Sequence, residues 1–320
     1  MAYNMTLSSL SCPSHSETMQ NLKRELPELV HELASSTLKD DAFSHVSPAP
    51  IPTREAAISI IHLMRRIMFP GYFDQVRLEE LNLEYRLGQD LTALFQMLAE
   101  QVSVAVRHAC MRYNQICNNC EEQGCHAALE VLRRLPRLRD LLASDVRAAH
   151  EGDPASSSYD EVIFCYPSLY AILIYRLAHV LYHLDVPLLP RLMTEHAHSK
   201  TGIDIHPAAH IEGSFFIDHG TGVVIGQTTK IGKRVRLYQG VTLGALSLPR
   251  EEVESLRNSK RHPTIEDDVV IYSGATILGG NTVVGARSII GGNTWITESV
   301  PPDTRVLLKA PEQIYLGERD

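Results

Sequence analysis

Three short segments carry residues whose types and spacing suit chemistry: Asp204-Ile205-His206-Pro207, Asp218-His219-Gly220-Thr221-Gly222 and Lys260-Arg261-His262-Pro263. An imidazole titrates near neutrality, so it can take the proton of a hydroxyl as that oxygen attacks. A carboxylate beside it fixes the ring's tautomer and stabilises the imidazolium that forms. Donors must then meet the developing oxyanion. Carboxylates such as Asp153 and Asp218 can hold an ammonium, and Arg261 can fork onto a carboxylate. That pairing suits a zwitterion and is not needed for a neutral sugar. His206, beside a proline, reads as a supporting turn residue.

These segments sit in a repeat. Aliphatic residues stand six apart at Ile205, Ile211 and Ile217, and again at Ile225, Ile231, Leu237 and Leu243. A second run holds Ile265, Ile271, Ile277, Val283, Ile289 and Trp295, with glycines such as Gly226, Gly274 and Gly291 in the turns. This is the hexapeptide period of a parallel β-helix, in which each aliphatic residue points into a triangular prism. No repeat buries its apolar residue alone; stacked coils do. Sandwich strands would alternate with period two instead. A two-residue shift within Asp218–Gly222 predicts that His219 sits on a small bulge. Asp204 and His219, separated by a little under one coil, are then expected on adjacent coils, close enough to pair. The polar stretch 244–264 breaks the period and reads as a protruding functional loop.

Before residue 200 the pattern is helical. Residues 17–35 carry apolar positions near a 3.6 period, and 41–52 holds three prolines and reads as a linker. Thr53 is a candidate N-cap for a helix to about Phe69, stopped by Pro70-Gly71. Helical stretches follow at about 74–87, 89–119 and 127–150. Pro167 suits a helix N1 position. Residues 168–184 are apolar nearly all round and include Arg176 and His183, which argues for a buried core or interface helix rather than a membrane span. The expected division is an extension, 1–70, a helical domain, 71–200, a β-helix, 201–308, and a tail, 309–320.

Composition excludes several classes. The 320 residues carry a formal net charge of −8, unlike a nucleic-acid binder. No run reaches about 18 apolar residues, and the N-terminus lacks a basic and apolar leader, so a cytoplasmic location without membrane attachment is expected. The six cysteines then read as reduced thiols. Cys117, Cys120, Cys125 and His126 have zinc-like spacing without a matching second half, and structural thiols are the expectation.

Residues 203–243 and 261–279 resemble serine O-acetyltransferases of the hexapeptide-repeat acyltransferase superfamily, and the likeness covers about 150–308. The resemblance implies an all-helical N-terminal domain followed by a left-handed parallel β-helix. It also implies acetyl transfer from acetyl-CoA to L-serine, with L-cysteine as a feedback inhibitor. By the family's motifs, His219 is the general base and Asp204 its partner. Asp153, Asp218, Arg261 and His262 hold serine. Coenzyme A is expected between adjacent β-helices, near Gly244, Ser273, Gly274, Gly291 and Lys309. A homotrimer or a dimer of trimers is implied, and no metal. Relatives that dock into the sulfhydrylase of cysteine synthesis end in isoleucine; Asp320 ends this chain, so that partner is not expected. Three readings compete with this one. One is another hydroxyl or amino acceptor, such as a sugar. Another is a metalloenzyme using His206, His219 and His262, resembling γ-class carbonic anhydrases. The last is a non-catalytic scaffold, against which the intact base–carboxylate pair argues.

Overall fold

The computed structural model describes residues 15–39, 44–46, 50–74, 77–113, 119–246 and 259–309. Cys12, Cys117, most of the loop 244–264, half of the linker 41–52 and the tail with Asp320 lie outside them. The chain forms two compact units, Met1–Ala49 and Pro50–Asp320. The first contains α1 (His15–Lys39), which presents Leu22, Leu26, Leu29 and Leu33 to solvent along one helical period.

The second unit begins with α2 (Arg54–Met68), α3 (Glu80–Arg112), α4 (Cys120–Gly152), α5 (Tyr159–Cys165), α6 (Pro167–Tyr182) and α7 (Leu189–Thr201). Thr53 caps α2 as expected: its hydroxyl accepts the Ala56 N–H at 3.2 Å. α2 buries Ile60, Ile61, Met64 and Ile67, which share one face. The stretches expected at 74–87 and 89–119 are one helix, α3, running through Gly88; a lone helical glycine lowers stability without breaking a turn. Pro167 starts α6 at N1. Among the described residues no single helix is long and apolar enough to cross a membrane; α5 and α6 are bent by 73° to one another. Cys120 is disulfide-bonded, whereas Cys110, Cys125 and Cys165 are free. The expectation of six thiols therefore fails at Cys120.

From Asp204 the chain winds through short parallel strands in three sheets, the faces of the left-handed β-helix. Ile205, Ile225, Leu243 and Ile277 stack in register on the first face. Ile211, Ile231 and Ile265 do so on the second, and Ile217, Leu237 and Ile271 on the third. All are buried. A second buried column lies two residues earlier in each repeat, at Ile203, Val223, Val241 and Ala275, where small or branched residues fill the corner. At the corner between the third and first faces, Gly202, Gly222, Gly240 and Gly274 all have positive φ and lie one above another. A side chain there would be strained, which explains the glycines.

The register of the last coils departs from expectation. Val284, Ile290 and Ile296 point inward, and Trp295 is 70% exposed. One extra residue at Gly279–Gly280 shifts the phase. A Cβ on Gly280 would lie 2.1 Å from the Lys260 carbonyl oxygen, so this wide corner makes room where the loop returns to the prism.

The first coil has no preceding coil to satisfy its outward carbonyls. α6 does this instead. Tyr175 donates to Ala209 O at 2.6 Å, His179 Nδ1 to Pro207 O at 2.8 Å, and Arg176 to Ile211 O at 3.3 Å and Glu212 O at 3.0 Å. Arg176 also forks onto Asp145 of α4 at 2.7 and 2.9 Å, and Asp145 accepts the Phe215 N–H at 2.9 Å. The polar residues of an otherwise apolar helix thus close the end of the prism.

Candidate functional site

His219 belongs to the inserted pair that produces the phase shift. Its φ is +58° and that of Gly220 is +89°. Gly220 N–H donates back to Asp218 O at 2.7 Å, a three-residue γ-turn with His219 at its centre. The turn lifts the imidazole off the regular face, and its side chain is 72% exposed. Gly220 must be glycine: a Cβ there would lie 2.5 Å from Ile203 Cδ1. The bulge expected at this position is present.

Three groups converge beside the imidazole. Buried Asp218 lies with Oδ1 3.8 Å from His219 Nδ1 and accepts Arg236 Nη2 at 2.6 Å. Arg236 stacks over Phe216 and Tyr238, and its Nε is buried with no hydrogen-bond partner among the described residues. Asp153, the C-cap of α4, accepts Tyr166 OH at 2.5 Å and Ala155 N–H at 2.9 Å. The Tyr166 hydroxyl, then the Ala155 N–H, then Arg236 and His219 hold the Asp153 carboxyl below the usual carboxylate range. Tyr166 is pushed up to about 12 by burial and by Asp153, so it stays a donor.

Asp204 is on the adjacent coil. Gly222 N–H donates to Gly202 O at 2.8 Å, so the His219 turn lies directly over the start of the DIHP segment. No ion pair within 4.0 Å joins Asp204 to His219 among the described residues. Asp204 instead lies with Glu195 and His198, their ligand atoms within 4.8 Å of one another.

Arg261 and His262 occupy the other edge of the first face, at the corner leading to the second. Thr228 organises them. Its Oγ1 accepts the backbone N–H of Arg261 at 2.9 Å and of His262 at 3.0 Å. Thr228 N–H donates to His262 Nδ1 at 3.2 Å, which leaves the ring proton on Nε2. Burial, then Arg261 and Lys260, push His262 down to about 4, so it acts as a neutral donor. Its ring packs on Gly226, where a Cβ would lie 1.9 Å from Cδ2. His206 is at the same corner, pushed down to about 4 chiefly by burial, and accepts Ala208 N–H at 3.0 Å.

The residues expected to meet coenzyme A divide the same way. Ser273, Gly274 and Gly291 line the corner of His219; Gly244 ends a first-face strand on the side of Arg261. Lys309 is exposed after the last strand. In one chain the candidate residues therefore form two groups, at opposite edges of one face. Arg236 and Thr228 were not foreseen. Arg236 pairs in register with Phe216, so knowing the coil length would have placed it beside Asp218.

A parallel β-helix of hexapeptide coils with a bulged histidine, capped by a helical domain, defines a hexapeptide-repeat acyltransferase. No family model matches the chain. It is 48% identical over 256 residues to the plasmid serine acetyltransferase of Synechococcus elongatus, spanning 79% of this chain and 80% of that one. It is 43% identical over 173 residues to the serine acetyltransferase of Mycobacterium tuberculosis, spanning 54% and 71%. Serine acetyltransferase 1 of Entamoeba histolytica, solved in complex with L-cysteine, superposes with a TM-score of 0.68 at 36% identity over 90% of this chain and all of that one. Soybean serine acetyltransferase, complexed with serine, gives 0.51 at 29% identity over 79% and 96%. The chain belongs to the serine acetyltransferase family.

Proposed function

We propose that the chain transfers the acetyl group of acetyl-CoA to the hydroxyl of L-serine at a site built by two copies. The observation that carries this is the division of the polar residues. His219, Asp218 and Asp153 stand at one edge of the first face and Arg261 and His262 at the other. With Arg236 already paired to Asp218, neither group alone matches a zwitterion; together they offer carboxylates to its ammonium and the Arg261 guanidinium with a neutral N–H to its carboxylate. A cyclic trimer sets one edge of a prism against the opposite edge of the next, which is a heterologous, ring-closing contact.

In the reaction, His219 takes the hydroxyl proton as the serine oxygen attacks the thioester carbonyl. The C–O bond forms, the C–S bond breaks, and coenzyme A leaves as thiolate. Asp204, on the coil below, orients the imidazole once substrate closes the space between them. Ser273, Gly274 and Gly291 from one copy and Gly244 from the next line the cleft for the acyl donor. Inhibition by L-cysteine follows from the same zwitterion pocket.

Thiol release from acetyl-CoA, with a panel of amino acids and sugars, tests this. His219→Ala should lose activity by about 10²–10⁴-fold. Arg261→Ala should raise the serine KM. Mixing the two variants through unfolding and reassembly should restore activity at roughly a quarter of the sites by random assortment. Full activity in His219→Ala removes the base, and failure of complementation removes the shared site.

A further inference from the structure

α2, the end of α5, the start of α6 and α7 line an open cleft of about 450 Å³ on the helical side of the molecule. His62, Arg65, His196 and Lys200 face it, together with Tyr166 and Tyr170. No aspartate or glutamate lines it, in a chain whose net charge is −8. Arg65 is half-buried with its Cζ 3.6 Å from the centre of the Phe73 ring and 5.4 Å from that of Tyr170. Ring faces hold a guanidinium without consuming its N–H donors, which lie in its plane and point elsewhere. Among the described residues no carboxylate pairs with Arg65 or Lys200. His196 is buried, its Nε2 3.0 Å from Tyr170 OH. Burial, then Lys200, His62 and Arg54, lower its pKa.

We propose that this cleft is a second ligand site, for a tetrahedral oxyanion of the phosphate or sulfate class, held by Arg65 and Lys200 and by N–H groups of His62 and His196. Its link to the rest of the molecule is Tyr166, which lines the cleft and donates to Asp153. Occupancy therefore alters how Asp153 is held, and the serine KM with it; this coupling rests on the reading of Asp153 given above, whereas binding does not.

Calorimetric titration of the full chain with inorganic phosphate, and separately with sulfate, decides the point. Ionic strength is held with chloride, and coenzyme A is kept saturating so that its own phosphate subsites are filled. Saturable uptake of one anion per chain is expected. Arg65→Gln and the surface substitution Lys200→Gln should each weaken it about tenfold, the loss of one charge-assisted bond. Cys165, a free thiol on the same cleft, gives an independent readout in the unmodified protein: phosphate should slow its alkylation by iodoacetamide and leave Cys125 unaffected. No saturable uptake beside coenzyme A, equal affinity in the Lys200→Gln protein, or unprotected Cys165 would overturn the site. Binding that leaves the serine KM unchanged would overturn the coupling alone.

Discussion

His219 owes its exposure to an insertion of itself and Gly220 that the prism does not need for stacking. A positive φ at a non-glycine residue is costly unless its surroundings over-determine it, and here the turn bond to Asp218 and the packing of Gly220 on Ile203 do so. His219 and Asp218 stand out in the sequence as candidates because their residue types suit proton transfer and charge binding, whereas the distance between Asp204 and His219 depends on side-chain placement that spacing does not give. Arg236 does not stand out, because its partner Asp218 is reached through strand register rather than proximity in sequence. It holds Asp218 Oδ2 at 2.6 Å. Arg236→Gln should lower kcat/KM for serine by on the order of 10²-fold, as a small misplacement does, with the acetyl-CoA KM unchanged. Steady-state kinetics with each substrate varied will show this split, and Arg236→Lys should rescue part of it. Equal loss toward both substrates would mean that the residue serves folding instead.

At the scale of elements, periodicity identified the coils but not every phase. Six-residue counting places Ile205 to Ile277 inside, as found. It fails after Gly279–Gly280, because the extra residue there answers to the Lys260 backbone, a neighbour no local pattern reveals. The helices were legible from caps and prolines; the purpose of Arg176 in apolar α6 was not, since its partners lie on α4 and the first coil. Arg176→Met leaves Asp145 buried without its counter-charge. It should destabilise the protein by about 3–5 kcal/mol, read as a lower urea midpoint. A change within 1 kcal/mol, about that of an exposed pair, would show that water reaches Asp145.

For the whole molecule, acid should loosen both the helical cap and the coil corner together. Burial pushes His179, His206 and His262 each down to about 4. Between about 4 and the unfolded value near 6.5 the unfolded chain binds more protons than the native one, so stability falls as pH drops through that window. Thermal midpoints measured from pH 7 to 4 should decline, and less steeply for His179→Gln, which keeps a donor for Pro207 O. A flat profile would show that these rings are solvated. The seal that α6 places over the first coil reaches further than stability. A naked strand edge is a template on which another prism could grow, end on end, into a fibre. With the carbonyls at 207, 209, 211 and 212 already taken, growth along the axis at this pole is blocked.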